Sequence, residues 1–383
     1  MAVRFVRYTE EHVESIRAFN TRMAEAGVHW QWPDTPVDHW VPDNAPDGHD
    51  RIAPEGARTW REHYVCHDDE GTIRGACAIK PHDWYVKGET VQVVDWHGPI
   101  TEGVIDNKFM TIGLRMIREL QKRWPLTYSW GHGGLETPML QMLESMKYLM
   151  YGTPFCLRVL KPFSFLRRNN YLRTSTARKL AQDVAAFTGL GWLGVKALGI
   201  AMRLGRKVPK GLVVEEFDQF ESWSDELWER VHPSYSAIAY RDAATMNWLV
   251  PEQGFPKGIR LRVRDGERTL GWAIVLDTQM ENDVRFGSLR VGSVIDCLAH
   301  PDDAEAVIAG ADRFLAKRGV DCIMSNQSHP AWRDAFKSNG YVLLENRRYF
   351  AATPALAEAF GPFEETRQGL HMTNMDGHGP MRM

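Results

Sequence analysis

Cysteine is scarce in this sequence, and the usual signals of secretion or membrane insertion are missing. The 383 residues include five cysteines, none of them in a Cys-x-x-Cys pair. This odd, scattered set argues against a disulfide framework and predicts a reducing, cytoplasmic compartment. The opening residues MAVRFVRYTEEHVESIRAF contain no apolar signal-peptide core. No uninterrupted run of about 18 apolar residues predicts a membrane-spanning helix.

An excess of either charge is missing as well. The chain has 46 lysines and arginines against 49 acidic residues, so its net charge is -3. Nucleic-acid-binding domains are usually basic, so a nucleic-acid partner is not expected from the overall charge. Hydrophobic residues make up 44% and charged residues 25%, as in ordinary globular proteins. At roughly 100–200 residues per domain, this length predicts two domains with a core each.

Motifs of metal sites, phosphate loops and hydrolases are also missing. Cys66 and His67 are a single adjacent pair, and on a strand they would point to opposite faces, so no metal site is predicted. There is no Gly-x-Ser-x-Gly motif. The run GHGG at 131–134 lacks the lysine of a phosphate loop. It is a plain turn or a segment that touches the substrate, with His132 as the candidate contact.

The two halves of the sequence contain the same order of predicted elements. The first half predicts a strand, a helix, a hairpin, a strand, a helix, a strand, a helix and a strand, beginning near residues 3, 9, 63, 91, 107, 126, 137 and 155. In the second half the corresponding segments begin near 213, 225, 259, 293, 303, 320, 332 and 341, with an additional helix at 243–249. Its hairpin contains the strong turn signal Asp265-Gly266.

Short matches accompany this repeated order. The segment VVD at 93–95 matches VID at 294–296, and RGACAI at 74–79 matches LGWAIV at 270–275. The helix-to-strand segments MKYLMY at 146–151 and KSNGYV at 337–342 also match each other. All three pairs are offset by about two hundred residues in the same order, which predicts an internal duplication.

The repeated order resembles the fold of the GNAT (Gcn5-related N-acetyltransferase) family. The phrase GYVLLENRRYF resembles the last strand of such domains, and GPITEGVIDNKFMTIGLRMIREL resembles a segment of tandem GNAT-like proteins linked to bacterial exopolysaccharide clusters. The resemblance implies an α/β (α+β) fold of two GNAT-like domains, each a twisted mixed sheet flanked by helices. The expected divisions are a domain at 1–163, a linker at 164–211, a domain at 212–360 and a tail at 361–383.

The resemblance also implies a co-substrate, acetyl-CoA or another acyl-CoA. In GNAT enzymes, the loop after the fourth strand holds the coenzyme A pyrophosphate on glycine backbone amides and a helix N-terminus. In the first half this loop contains Gly103, Asn107 and Lys108, which are the candidate cofactor-binding residues. The second-half loop, at 301–306, has no glycine and three carboxylates that would repel a pyrophosphate. The donor is therefore expected in the first half.

Acyl transfer needs a base for the acceptor proton and an acid for the leaving thiolate. His97 and Glu102 bracket the end of the fourth predicted strand and are the candidate bases. Tyr148 lies at a helix-to-strand joint, where related enzymes keep a tyrosine acid. Each of these residues also has a structural interpretation, as core packing or as a solvated loop acid.

Two segments have an aromatic or basic character of their own. The tryptophan-rich loop at 29–40 is interpreted as a substrate wall through Trp30 and Trp32, or as a lid over the core. Residues 165–210 contain ten lysines or arginines and the single acid Asp183. They are either a basic amphipathic segment on an anionic membrane surface or an interdomain helix pair. The tail has no periodicity, and a disordered tail is expected.

The sequence therefore predicts an acyltransferase that acts on an amine or hydroxyl of a cell-surface sugar or its precursor. One alternative is a Fem-type transferase, which uses aminoacyl-tRNA and would give the basic linker an RNA partner. Another is a non-catalytic binding protein on degenerate GNAT domains, since a fold does not fix a function.

Overall fold

The first half of the chain builds a mostly antiparallel sheet with helices around it. A computed structural model describes residues 3–28, 31–33, 56–206, 208–251 and 257–377. The elements of the first half are β1 (Val3–Arg7), α1 (Val13–Glu25), β2 (Glu62–Asp68), β3 (Ile73–Val86), β4 (Glu89–Thr101), α2 (Ile112–Arg123), β5 (Thr127–His132), α3 (Pro138–Ser145) and β6 (Leu149–Val159). Strands β1 to β5 lie in that order; β4 and β5 are parallel, and the other neighbours are antiparallel.

Three helices follow β6 in the segment that the sequence identified as a basic linker. They are α4 (Pro162–Arg168), α5 (Thr176–Phe187) and α6 (Leu190–Met202). No single helix in the described part of the chain is long and apolar enough to cross a membrane. Helices α5 and α6 reach that length and composition only as a pair, and the pair is bent by 74°.

The second half of the chain adds further strands and helices. They are β7 (Leu212–Phe217), α7 (Ser222–Val231), β8 (Ala237–Ala239), α8 (Ala243–Leu249), β9 (Ile259–Asp265), β10 (Arg268–Gln279), β11 (Arg290–Ala299), α9 (Ala304–Lys317), β12 (Cys322–Asn326), α10 (Pro330–Ser338), β13 (Val342–Ala352), α11 (Pro354–Ala359), α12 (Phe363–Thr366) and β14 (Leu370–His371). The strand order is β13-β6-β12-β11-β10-β9-β7, in which β11 and β12 are parallel.

The chain divides into two compact units whose boundary falls inside two strands. Unit 1 takes in Met1–Tyr151 and Phe350–Pro362, and unit 2 takes in Gly152–Tyr349 and Phe363–Arg382. Most of β6 therefore belongs to unit 2, and the end of β13 belongs to unit 1. The domain divisions expected from the sequence, at 163, 211 and 360, stay a prediction.

Local sequence signals account for most of these elements. The apolar positions Ile16, Phe19 and Met23 form one stripe on α1, and all three are buried against Val65 and Ala76 of the sheet. The predicted hairpin is confirmed, since β9 and β10 pair across Gly266, whose φ of 56° suits a glycine.

Three expectations were wrong in detail. Helix α2 begins at Ile112 rather than near 107, because Asn107–Phe109 forms a separate 3-10 turn. Strand β6 begins at Leu149 rather than at 155. The tail is ordered as far as residue 377, with α12, β14 and a 3-10 turn at Asn374–Asp376, because its side chains pair with buried groups of unit 2.

Candidate active site

Strands β4 and β5 of unit 1 separate near the middle of β4. Their parallel pairing joins Val94 to Thr127 and Asp95 to Tyr128. At the next position the Ser129 hydroxyl of β5 donates to the Trp96 carbonyl of β4 (2.7 Å), so a side chain joins the two strands there. The register of β3 with β4 also shifts between Ala76 and Ala78, and such bulges re-aim side chains. These features leave the following residue, His97, at the point where the two strands diverge.

His97 forms a buried pair with Asp95 at this point. The distance between His97 Nδ1 and Asp95 Oδ2 is 3.1 Å, and Asp95 is completely buried. When His97 Nδ1 donates in this contact, the neutral imidazole carries its lone pair on Nε2. Burial lowers the pKa of His97, the Asp95 carboxylate opposes this shift, and the charges of Arg61 and Lys80 add to it. His97 is therefore neutral and basic at pH 7.

Further polar side chains lie on the same face of the sheet as Asp95 and His97. His63 and His97 both lie opposite Ala78, and Lys80 lies opposite Asp95. Opposite and alternate residues of a sheet share a face, so His63, Lys80, His82, Asp95 and His97 form one sheet-face cluster. All of them except His97 are at most 2% exposed. Polar residues alternate along these three strands in the sequence, but only His97 was predicted from them as a site residue.

One oxygen of the Asp95 carboxylate has no described hydrogen-bond donor. Asp95 Oδ1 is buried and accepts no hydrogen bond within the part of the chain that the structure describes. Arg61 is close enough for its charge to interact with Asp95, although burial lowers the pKa of Arg61 to about 10. A buried carboxylate oxygen without a donor is costly, so it is suited to receive a donor from a ligand.

Trp32 lies against the cluster as part of the hydrophobic core that also contains Phe19 and Val65, and its use as a substrate wall stays a prediction. Its ring meets the His63 ring edge-on at 5.1 Å between centroids, and the tryptophan is buried. The Asn20 side chain fixes the Trp32 backbone by accepting from its N–H (2.9 Å) and donating to its carbonyl (2.7 Å). Trp30 lies outside the described residues. The backbone of His132 ends β5, but its side chain is not described.

Glu102 lies beyond the end of β4 in a separate ion-pair network. Its carboxylate is buried and accepts hydrogen bonds from Arg22 (2.6 Å) and Arg74 (2.7 Å), one on each oxygen. Arg74 also donates to Asp68 (2.8 Å). These contacts connect α1, β3 and the loop after β4, so the structure shows an architectural function for Glu102. Its function as a base stays a prediction.

The predicted cofactor loop is closed on itself. The Gly103 N–H donates to Thr101, those of Ile105 and Asp106 donate to the Glu102 carbonyl, and that of Lys108 donates to Asp106. A Cβ on Gly103 would lie 2.9 Å from Met110 Cα, so this glycine is needed for packing within the loop. Further along, Asn107 is exposed and the exposed Lys108 pairs with Asp106 (2.7 Å).

Tyr148 is buried at the joint between α3 and β6. Its hydroxyl accepts a hydrogen bond from Gln121 of α2 (2.7 Å). Burial raises the pKa of Tyr148 well above its ordinary value, so the phenol keeps its proton at neutral pH. The contact fixes the joint, and its use as an acid stays a prediction.

Unit 2 has a buried polar cluster that is fully paired. Arg241 donates to Asp296 (3.1 Å) and to Asp376 of the tail (2.8 Å), and all three are buried. Thr373 donates to Asp296 as well (2.9 Å). The carboxylates here are occupied by the protein's own donors, whereas Asp95 keeps one oxygen open. The contrast concerns these carboxylates alone, since Gln327 Oε1 of unit 2 is also buried without a described partner.

No family model matches the chain, and no curated protein matches it either. Solved structures match its fold at low sequence identity. A conserved protein of unknown function from Enterococcus faecalis V583, a probable N-acyltransferase, is similar over 94% of this chain and 74% of its own, with 9% identity and a TM-score of 0.50. The chain therefore shares the α/β fold of this protein, which agrees with the α/β class predicted from the sequence.

Two further structures are similar at lower scores. A GCN5-related N-acetyltransferase from Anabaena variabilis matches over 91% of this chain and 72% of its own, with 10% identity and a TM-score of 0.49. A Saccharomyces cerevisiae N-myristoyltransferase with bound myristoyl-CoA matches over 92% and 82%, with 10% identity and a TM-score of 0.46.

Proposed function

We propose that the protein is an acyltransferase in which His97 of unit 1 is the general base and Asp95 orients it. The observation that carries this proposal is the buried His97–Asp95 pair at the point where β4 and β5 diverge. The pair supplies what acyl transfer requires, a neutral imidazole whose second nitrogen is fixed by a carboxylate.

In this proposal an acceptor amine or hydroxyl attacks the carbonyl carbon of an acyl thioester. His97 Nε2 takes the acceptor's proton as the new bond forms. The carbon–sulfur bond then breaks, and the leaving thiolate receives a proton. Asp95 stabilises the imidazolium, and its open oxygen, Oδ1, is placed to accept from the acceptor's own N–H or O–H. Trp32 forms one wall of the acceptor pocket.

The donor is proposed to be acetyl-CoA or another acyl-CoA, and the acceptor a cell-surface sugar or its precursor. Both come from the sequence resemblance, as does the interpretation of the two halves as tandem GNAT-like domains. Gly103, Asn107 and Lys108 remain the proposed donor contacts, and Tyr148 the proposed acid. Trp30 and His132 remain proposed substrate contacts.

A ligand titration tests the donor directly. Thermal unfolding of the full-length protein is followed with acetyl-CoA and longer acyl-CoAs. A donor at a hundredfold over its Kd should stabilise the fold by about 2.7 kcal/mol. Lys108→Glu, at an exposed position, should weaken this shift, whereas the control Lys122→Glu on exposed α2 should not. No shift with any acyl-CoA would contradict acyl-CoA as the donor.

One observation favours a different donor for the same chemistry. The N–H groups of Gly103, Ile105, Asp106 and Lys108 already have acceptors inside the loop after β4, so these four offer no open cradle for a pyrophosphate. A Fem-like enzyme, which takes its acyl group from aminoacyl-tRNA, would not need one. A salt-sensitive complex with charged tRNA, together with no acyl-CoA shift, would support this alternative.

A further inference from the structure

We propose that helices α4, α5 and α6 form a docking surface for membranes rich in anionic lipid. The proposal does not depend on the reaction at His97 and stands or falls separately from it. It rests on the apolar surface of these helices, their charge and their length.

Helix α6 is apolar around its whole circumference and yet unburied. Its 13 residues include one charged side chain, Lys196. None of the 13 is buried. A helix that is hydrophobic on all sides is normally buried in a protein core or in a membrane. Most of the surface of α6 is left uncovered by the described residues, so the described part of the chain does not supply the apolar environment that suits this helix.

One narrow stripe of residues on α6 packs against the rest of unit 2. The half-buried residues of α6 are Gly191, Val195, Gly199 and Met202, spaced by three or four positions. A Cβ on Gly191 would contact the Leu166 side chain of α4, so this glycine permits close helix packing. The outward residues are 49–66% exposed and include Leu190, Trp192, Leu193, Leu198 and Ile200.

Helix α5 also exposes apolar side chains. Leu180, Val184 and Phe187 recur at helical spacing and are 51–67% exposed. Phe163 of α4, also exposed, packs edge-on against the Phe187 ring at 5.5 Å. These residues and the outward residues of α6 are called the apolar face. Contiguous exposed apolar surface of this kind marks a binding site for a protein or a membrane.

The segment that contains these helices is rich in positive charge. Residues 165–210 contain ten lysines and arginines and one acid, which leaves 36 basic and 48 acidic residues in the rest of the chain. The one acid, Asp183, is already paired with Arg173 (2.6 Å) and Arg167 (3.6 Å). An acidic protein with one strongly basic, apolar surface is complementary to anionic lipid headgroups over an apolar interior.

The helices are too short to cross a bilayer. At 1.5 Å per residue, α5 and α6 are about 18 and 20 Å long, whereas the hydrocarbon core is about 30 Å thick. They are also bent by 74°, around Gly189 with a φ of 75°. Trp192 and Lys196, whose ammonium lies 5.8 Å from the indole ring, are the residue types found at the headgroup level. The geometry therefore fits helices that lie in the interface.

A second copy of the chain is a poorer partner for this surface. A symmetric dimer would place two identical basic surfaces face to face, and like charges at an interface repel each other. Nucleic acid would match the charge but would leave the exposed leucines and isoleucine without a contact. Anionic lipid satisfies both features.

Vesicle flotation tests the proposal with the full-length protein. Vesicles of phosphatidylglycerol and phosphatidylcholine should carry the protein upward, and vesicles of phosphatidylcholine alone should not. Binding should weaken strongly in 0.5 M salt, because screening shortens the range of the attraction. The double variant Arg178→Gln, Lys179→Gln should bind about 25-fold more weakly, since each charge contributes roughly fivefold.

The apolar contribution is tested by a separate pair of variants. Leu193→Glu with Ile200→Glu should lower vesicle affinity at least about tenfold, because two exposed apolar side chains no longer enter the bilayer. The matched control is Val213→Glu, an exposed valine on edge strand β7 of the same unit, which should bind like the wild type. Unchanged melting temperatures establish that the variants fold.

Three outcomes would overturn the proposal. The first is no flotation with anionic vesicles. The second is binding that persists fully in both double variants. The third is a stable dimer that Leu193→Glu with Ile200→Glu converts to a monomer, with no lipid binding, which would assign the apolar face to a second copy.

Discussion

At the level of single residues, burial of His97 sets the pH range of the proposed reaction. The folded protein lowers the pKa of this imidazole below its ordinary value of about 6.5, so the neutral base persists to lower pH. The acid limb of a kcat/KM profile should therefore have its midpoint below pH 6.5. A profile recorded between pH 4.5 and 8 checks this; a midpoint at or above 6.5 would contradict His97 as the buried base.

Arg241 is the residue whose loss should most weaken unit 2. Arg241→Ala would leave the buried carboxylates of Asp296 and Asp376 without their cation. Breaking a buried pair in this way costs about 3–5 kcal/mol. The control Arg264→Ala removes a solvent-screened pair with Glu215 and should cost much less than Arg241→Ala. Urea unfolding measures both, and equal losses would contradict this account.

At the level of elements, patterns within ten to fifteen residues were readable from the sequence. The stripe of α1 and the hairpin of β9 and β10 follow from spacing and from Asp265-Gly266. The early start of β6 was not predicted, because Gly152 and Pro154 interrupt its strand pattern and such residues usually end a strand. Pairing with neighbouring strands holds the segment extended despite them.

The bend between α5 and α6 gives a prediction about glycine. Gly189 has a φ of 75°, where a side chain costs roughly 1–2 kcal/mol, so Gly189→Ala should destabilise the helix pair. Gly194 lies inside α6, and a Cβ there meets nothing within 4 Å, so Gly194→Ala should stabilise the helix by about 1 kcal/mol. Chemical unfolding followed by circular dichroism compares the two. Equal effects would contradict the observed bend.

At the level of the whole molecule, contacts between residues far apart in the chain could not be predicted from the sequence. Arg241 and Asp376 are 135 positions apart, and nothing local marked the tail as part of a core. The sheet-face cluster likewise depends on the register of three strands, which composition does not reveal. His97 was predicted because it ends the strand expected from the sequence, in a position the fold favours, although β4 continues to Thr101. Asp95, Lys80 and His82 could be placed beside His97 only once the pairing register of the strands was known.

The measurement that tests the central claim most directly is release of free thiol from acyl-CoA donors. It is run over a panel of amino sugars and other sugar acceptors, for the wild type, His97→Gln and the control His67→Gln, a histidine of β2. The account predicts acceptor-dependent release that His97→Gln lowers about 10²–10⁴-fold and His67→Gln leaves unchanged. Full activity in His97→Gln would contradict His97 as the base, and no release by the wild type from any donor would contradict acyl-CoA-dependent transfer itself.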